Sequence, residues 1–118
     1  MELTLLSSEA GILQIQCQGD FSVDHPGNLH NPLDKFLGPS GYGGIVLISM
    51  AKTDYINSAG VGWLIECHKR FREAGGKLIL HSIPPLIRNI FQLLQMHRVL
   101  NLAPDEAAAL ALAKGGRP

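Results

Sequence analysis

Ser58 is the side chain in this sequence best placed to take part in chemistry, because of what surrounds it. An apolar β-branched run, Ile45-Val46-Leu47-Ile48, leads through a short connection to Tyr55-Ile56-Asn57-Ser58-Ala59-Gly60-Val61-Gly62, where small residues open a helix. A serine hydroxyl at a helix start is exposed enough to accept a phosphoryl group. The phosphate would gain from the free N–H groups and partial positive charge there. It would also add a charge of about −1.5 to −2 to any docking surface. The simpler role for Asn57 or Ser58 is an N-cap, worth about 1 kcal/mol. Gly60 and Gly62 suit close packing of the helix on a sheet. A lone Gly-x-Gly is weak support for a nucleotide site, and no Gly-x-x-x-x-Gly-Lys-Ser/Thr loop occurs.

Other combinations carry less. Ser58, His81 and Asp54 have the residue types of a hydrolase triad, but the chain lacks the Gly-x-Ser-x-Gly elbow. No acid, base and nucleophile converge, so the expectation is a protein without catalytic activity. His25 and His30 share a loop with Asp20 and Asp24, at a spacing that matches no standard metal pattern. Neither metal nor cofactor is expected. His68 falls on an apolar stripe and reads as a packed histidine. Cys17 and Cys67 lie far apart in apolar segments and read as buried free thiols, which suits a reducing compartment.

The 118 residues carry 46% hydrophobic and 17% charged residues and a formal net charge of zero. A nucleic-acid binder would show a basic excess, and this chain shows none. Neutrality leaves little electrostatic steering, so a partner is met through shape and apolar contact. No apolar run approaches the ~20 residues of a membrane span, and Met1-Glu2-Leu3-Thr4 lacks a signal-peptide pattern. A soluble cytoplasmic protein without membrane contact is expected. Residues 1–114 read as a single domain and 115–118 as a frayed tail.

The elements that must position Ser58 follow from pattern. Residues 3–7 and 12–18 read as strands, the second with Leu13, Ile15 and Cys17 alternating with polar neighbours. Glu9-Ala10-Gly11 makes the turn of an antiparallel hairpin. Residues 19–31 read as loop, and 32–37 as a short helix with Leu33, Phe36 and Leu37 on one face. Residues 45–48 form a central strand buried on both faces. Residues 57–74 form the strongest helix, with Val61, Leu64, Ile65, His68 and Phe71 inward. Glu66 with Arg70, and Lys69 with Glu73, are spaced to pair on its outer side. Gly75-Gly76 ends it, 77–81 is another strand, and Pro84-Pro85 opens a helix to about residue 95. Residues 99–102 read as an edge strand, and an alanine-rich helix runs from Pro104-Asp105 to about Ala113. Alternation of this kind predicts a mostly parallel sheet.

The run from Tyr55 to Gly62 resembles the signature of STAS domains, whose pattern there is apolar, Asp, Ser, Ser or Thr, Gly, apolar, Gly. Gly19-Asp20 resembles the Gly-Asp after that family's second strand. Ala74-Gly75-Gly76-Lys77-Leu78 resembles its helix-to-strand turn. Phe91-Gln92-Leu93-Leu94, Val99-Leu100 and the helix at Asp105-Glu106-Ala107-Ala108 resemble its C-terminal layout. The resemblance implies an α/β STAS-like fold: a mixed, mostly parallel sheet of four to five strands against about four helices. It also implies an anti-sigma factor antagonist in a partner-switching pathway, binding an anti-sigma factor that is a serine protein kinase through residues 54–62. In the family, phosphorylation of the Ser or Thr just before the glycine ends that binding.

This chain departs from the pattern at three places. The acceptor position is Ala59, the acidic position two before it is Asn57, and the acidic position at the strand exit is Ser49. The expectation is that phosphorylation is lost or moved to Ser58, and that neutral Asn57 and Ala59 leave the site permanently able to dock. Expected partner-binding residues are Asp20, Tyr55, Asn57, Ser58, Ala59, Gly60, Val61 and Trp63. Trp63 serves as an interface anchor or as cover for the sheet edge. Ile87, Asn89 and Ile90 could extend the surface, and a weak homodimer is compatible with it. Two other readings stand beside this one. One is a small-ligand or nucleotide sensor with a pocket between the Asp20 loop and the Asn57 helix. The other is a non-catalytic subunit of a signalling assembly or lipid transporter.

Overall fold

The computed structural model describes residues 2–9, 11–21, 33, 36–37 and 41–115. Five strands stand in chain order in one sheet. Strand β1 (Glu2–Glu9) and strand β2 (Ile12–Phe21) form the antiparallel hairpin. Gly11 turns it at φ 78°, a left-handed conformation that glycine adopts without steric cost. Strands β3 (Ile45–Ile56), β4 (Lys77–His81) and β5 (Asn101–Ala103) follow, all parallel to β2. Helix α1 (Ser58–Glu73) connects β3 to β4. Helix α2 (Pro85–Leu93) and a 3₁₀ turn (Met96–Arg98) connect β4 to β5, and helix α3 (Glu106–Ala113) closes the described chain. A second 3₁₀ turn, Gly41–Gly43, precedes β3. Among the described residues no helix is long and apolar enough to cross a membrane.

The central strands are buried on both faces, as their continuous apolar runs require. Val46 and Ile48 of β3 and Leu78 and Leu80 of β4 join the larger core with α1 and α2. The alternate residues Leu47 and Ile79 turn to the other face and pack with Ala103, Ala109 and Ala113. The small alanine side chains let α3 lie close on that face. Asp105 caps α3 by accepting from the Ala108 N–H at 2.8 Å, and Lys77 Nζ donates to the Leu112 carbonyl at 3.1 Å near its far end. An acid at the start and a cation at the end both suit the helix dipole.

Helix α1 buries Val61, Leu64, Cys67 and Phe71. This corrects the stripe read from sequence: Cys67 belongs to the buried face, and Ile65 and His68 fall half-buried at its margin. The small Cys67 side chain fits the buried face, and the margin leaves the His68 imidazole in reach of water. On the outer side, Arg70 lies over the Tyr42 ring, 5.6 Å from its centroid, and Tyr42 meets Phe71 edge-on at 5.0 Å. The helix ends in a Schellman arrangement. Gly75 at φ 85° donates to the Arg72 carbonyl at 3.3 Å, and Gly76 to the Phe71 carbonyl at 2.7 Å.

Three expectations change. The described residues hold three α-helices instead of about four. The helix expected over 32–37 is described only at Leu33, Phe36 and Leu37. There the Phe36 and Leu37 N–H groups both donate to the Leu33 carbonyl, and the three side chains pack on the core. Second, β2 runs three residues into the expected loop, through Gly19 at φ 82° to Phe21; the rest of that loop lies outside the described residues. Third, β3 does not stop at Ile48. It continues to Ile56 because β2 continues beside it, pairing Gln18 with Lys52, Gly19 with Thr53, Asp20 with Tyr55 and Phe21 with Ile56. Two register shifts place extra residues on the β3 side. Its buried residues there are Met50, Thr53 and Ile56, three apart, so the period of two disappears.

Candidate functional site

The outer half of β3 carries the site. Strand β4 ends with His81 opposite Ser49, so β3 projects beyond it toward α1 with β2 alongside. Thr53 is buried and donates through its hydroxyl to the Cys17 carbonyl at 3.3 Å, tying this arm to β2. Met50 and Ile56 anchor it in the core. Ala51, Lys52, Asp54 and Tyr55 remain exposed, and Tyr55 keeps half of its surface in water (50%). The ladder places Asp20, also exposed, beside Tyr55. Nothing in the 34 residues of sequence between them would reveal that adjacency.

Asn57 makes the transition from strand to helix. Its backbone is extended (φ −101°, ψ 173°), and its Oδ1 accepts from the Gly60 N–H at 2.7 Å. Asn57 is therefore the N-cap. Ser58 is the first helical residue, exposed, and free of the capping role. Ala59 is half-buried. The first turn of α1 contains no acidic residue, so the positive end of the helix dipole meets no carboxylate within that turn.

The remaining expected residues divide by burial. Gly60 and Val61 face the core, Val61 with 8% of its surface exposed, so they shape the junction and offer little side-chain surface. Trp63 is half-buried and packs against the core beside the junction. Gly62 is exposed, and a Cβ there would meet nothing within 4 Å. Close packing therefore does not explain that glycine. Ile87 is buried in the core, which removes it as a docking side chain; Asn89 is exposed and Ile90 half-buried.

His81 stands apart from Ser58 and Asp54. It is buried, and its Nδ1 shares a hydrogen bond with Ser82 Oγ at 2.8 Å. Burial pushes its pKa down, partly offset by the nearby carboxylates Glu106 and Asp105 at the start of α3. Those acids, not Asp54, are its charged neighbours. Ser82 adopts φ 57°, a strained backbone for a residue with a Cβ, at the end of β4; the Ser-Ile-Pro sequence gives no cue to it. Burial also lowers the His68 pKa, and the Arg72 charge lowers it further. Cys17 and Cys67 are both buried and neither forms a disulfide. Burial raises the Cys17 pKa against the opposing hydrogen bond from Thr53, which makes it a poor nucleophile. Among the described residues no three His, Cys, Asp or Glu side chains gather to hold a metal ion. His25, His30 and Asp24 lie outside the described residues.

A sheet of this order, with a capped helix leaving a projecting central strand, has relatives of known kind. Residues 8–109 match the STAS domain model, and the chain belongs to that family. Among its relatives is BtrV of Bordetella bronchiseptica, a protein assigned as an anti-sigma factor antagonist, which is 29% identical over 73 residues. That match spans 62% of this chain and 63% of BtrV. A Thermotoga maritima protein assigned to the same class superposes with a TM-score of 0.77 at 12% identity, over 96% of this chain and 93% of that one. The anti-sigma factor antagonist SpoIIAA, in its unphosphorylated form, gives 0.60 at 13% identity, over 98% and 100% of the two chains. At such identities the structural likenesses establish the fold alone. The family match and these likenesses together make this chain a STAS domain with the α/β fold of that family.

Proposed function

We propose that this chain docks an anti-sigma factor with serine-kinase activity through the junction of β3 and α1, in a partner-switching pathway. The observation that carries this reading is the projecting arm of β3. It sets Tyr55 and Asp20 side by side in water, next to a capped helix start whose first residue is an exposed serine. Tyr55, Asp20 and Ser58 form the contact, with Asn57, Ala59 and Trp63 at its edge. Tyrosine is a favoured anchor in protein interfaces because it buries a large rigid ring and keeps a polar tip. Gly60 and Val61 hold the helix start in place from beneath.

Ser58 is the hydroxyl through which this docking is controlled. Its phosphate would stand at the N-terminus of α1, where no first-turn acid repels it. It would also place about two negative charges on the contact surface. Incubation with the kinase and ATP, followed by mass spectrometry, tests the assignment. Phosphate is expected on Ser58 and absent from Ser58→Ala. Phosphate on another residue, or none on the wild type, would overturn control through Ser58 and leave a surface that docks constitutively.

A further inference from the structure

Helix α2, the 3₁₀ turn Met96–Arg98 and β5 enclose a cleft of about 240 Å³ that the docking reading does not use. Its floor is apolar: Phe91 and Ala103 are buried, and Ile83 and Leu102 complete it. Its rim is polar. Arg88 and Gln92 stand one turn apart on α2, and His97 reaches in from the 3₁₀ turn. Arg88 Nη2 donates to the Ile83 carbonyl at 3.3 Å, which holds the guanidinium at the mouth while committing one of its five N–H groups. None of the described residues lining the cleft is acidic.

An apolar floor under a permanent cation and two further hydrogen-bonding side chains selects a small amphiphilic anion. The volume lies below the 300–1,000 Å³ usual for drug-sized ligands, which favours a small ligand over a nucleoside triphosphate or a long lipid. Inorganic phosphate would leave the floor empty. We propose that this cleft binds a carboxylate carrying a short apolar body, with the Arg88 fork on the carboxylate and Phe91 and Leu102 against the hydrocarbon. The inference rests on the cleft and is independent of how the β3–α1 junction docks.

Titration of the full chain with hexanoate, followed by ¹H–¹⁵N correlation spectra, tests it. Hexanoate is expected to cause saturable shifts at Arg88, Gln92, His97 and Leu102. Acetate, which lacks the apolar body, and hexanol, which lacks the charge, are each expected to bind at least tenfold more weakly. Arg88→Gln should weaken hexanoate at least tenfold and leave the hexanol response unchanged. Shifts that never saturate or that centre elsewhere, or an Arg88→Gln variant that binds hexanoate like the wild type, would overturn the site. A second measurement uses the unaltered chain. Hexanoate should slow modification of Arg88 by phenylglyoxal several-fold, and an unchanged rate would overturn the proposal by itself.

Discussion

At the scale of single residues, the junction separates two roles that the sequence leaves merged. Asn57 and Ser58 both have the chemistry of a cap. The Asn57 Oδ1 contact with the Gly60 N–H assigns the cap to Asn57 and leaves the Ser58 hydroxyl at an exposed first position. Asn57→Ala should therefore lower the unfolding free energy by about 1 kcal/mol. Asn57→Asp keeps the acceptor and adds a favourable charge of about 0.3–1 kcal/mol at the helix start. Urea unfolding of the three proteins should rank Asp at or above wild type and Ala below it. Equal stability of Ala and wild type would remove the capping role. The order of the residues around Ser58 was legible, because small residues at a helix start show in sequence. The neighbour of Tyr55 was not, because Asp20 reaches it only through the β2–β3 register.

At the scale of elements, Gly62 within α1 and Gly76 in the turn after it have different reasons to be small. Gly62 has open space around a would-be Cβ, whereas one at Gly76 would run into the carbonyl oxygens of Tyr42 and Gly44. Gly62→Ala should stabilise α1 by about 0.5–1 kcal/mol, the cost of glycine inside a helix. Gly76→Ala should destabilise the fold, since backbone must shift to admit the methyl group. Thermal melts that moved both variants the same way would contradict this account of the turn. Helices α1, α2 and α3 were legible from their stripes, prolines and caps. The outer half of β3 was not. Its bulges bury every third residue, Met50, Thr53 and Ile56, and a strand with that spacing imitates a loop.

At the scale of the whole molecule, the sheet separates a large core under α1 and α2 from a small, alanine-built one under α3. His81 is buried near the start of α3 with a lowered pKa. A base whose folded pKa is lowered binds fewer protons folded than unfolded, so its contribution is complete above the ordinary histidine value near 6.5 and is lost as pH falls from there through the folded value. His68 acts in the same direction. The urea midpoint should fall between pH 7.5 and pH 5, and His81→Gln should flatten part of that slope. A midpoint independent of pH across that window would contradict the burial-driven shift. The parallel direction of β3, β4 and β5 follows from alternation, and the double-sided burial of β3 from its β-branched run at 45–48. The cleft between α2 and β5 had no counterpart in pattern: its lining falls within residues 83–104, but no residue spacing there marks a cavity.

The central claim is that this chain meets its partner at the arm of β3 and the start of α1. Hydrogen exchange of the full chain, alone and bound to the anti-sigma serine kinase of the same organism, reads that surface directly. Binding should slow exchange over residues 54–63 and around Asp20, and leave the exposed edge of β1 unchanged. Protection confined to β1, or to α3 and the face it covers, would contradict it.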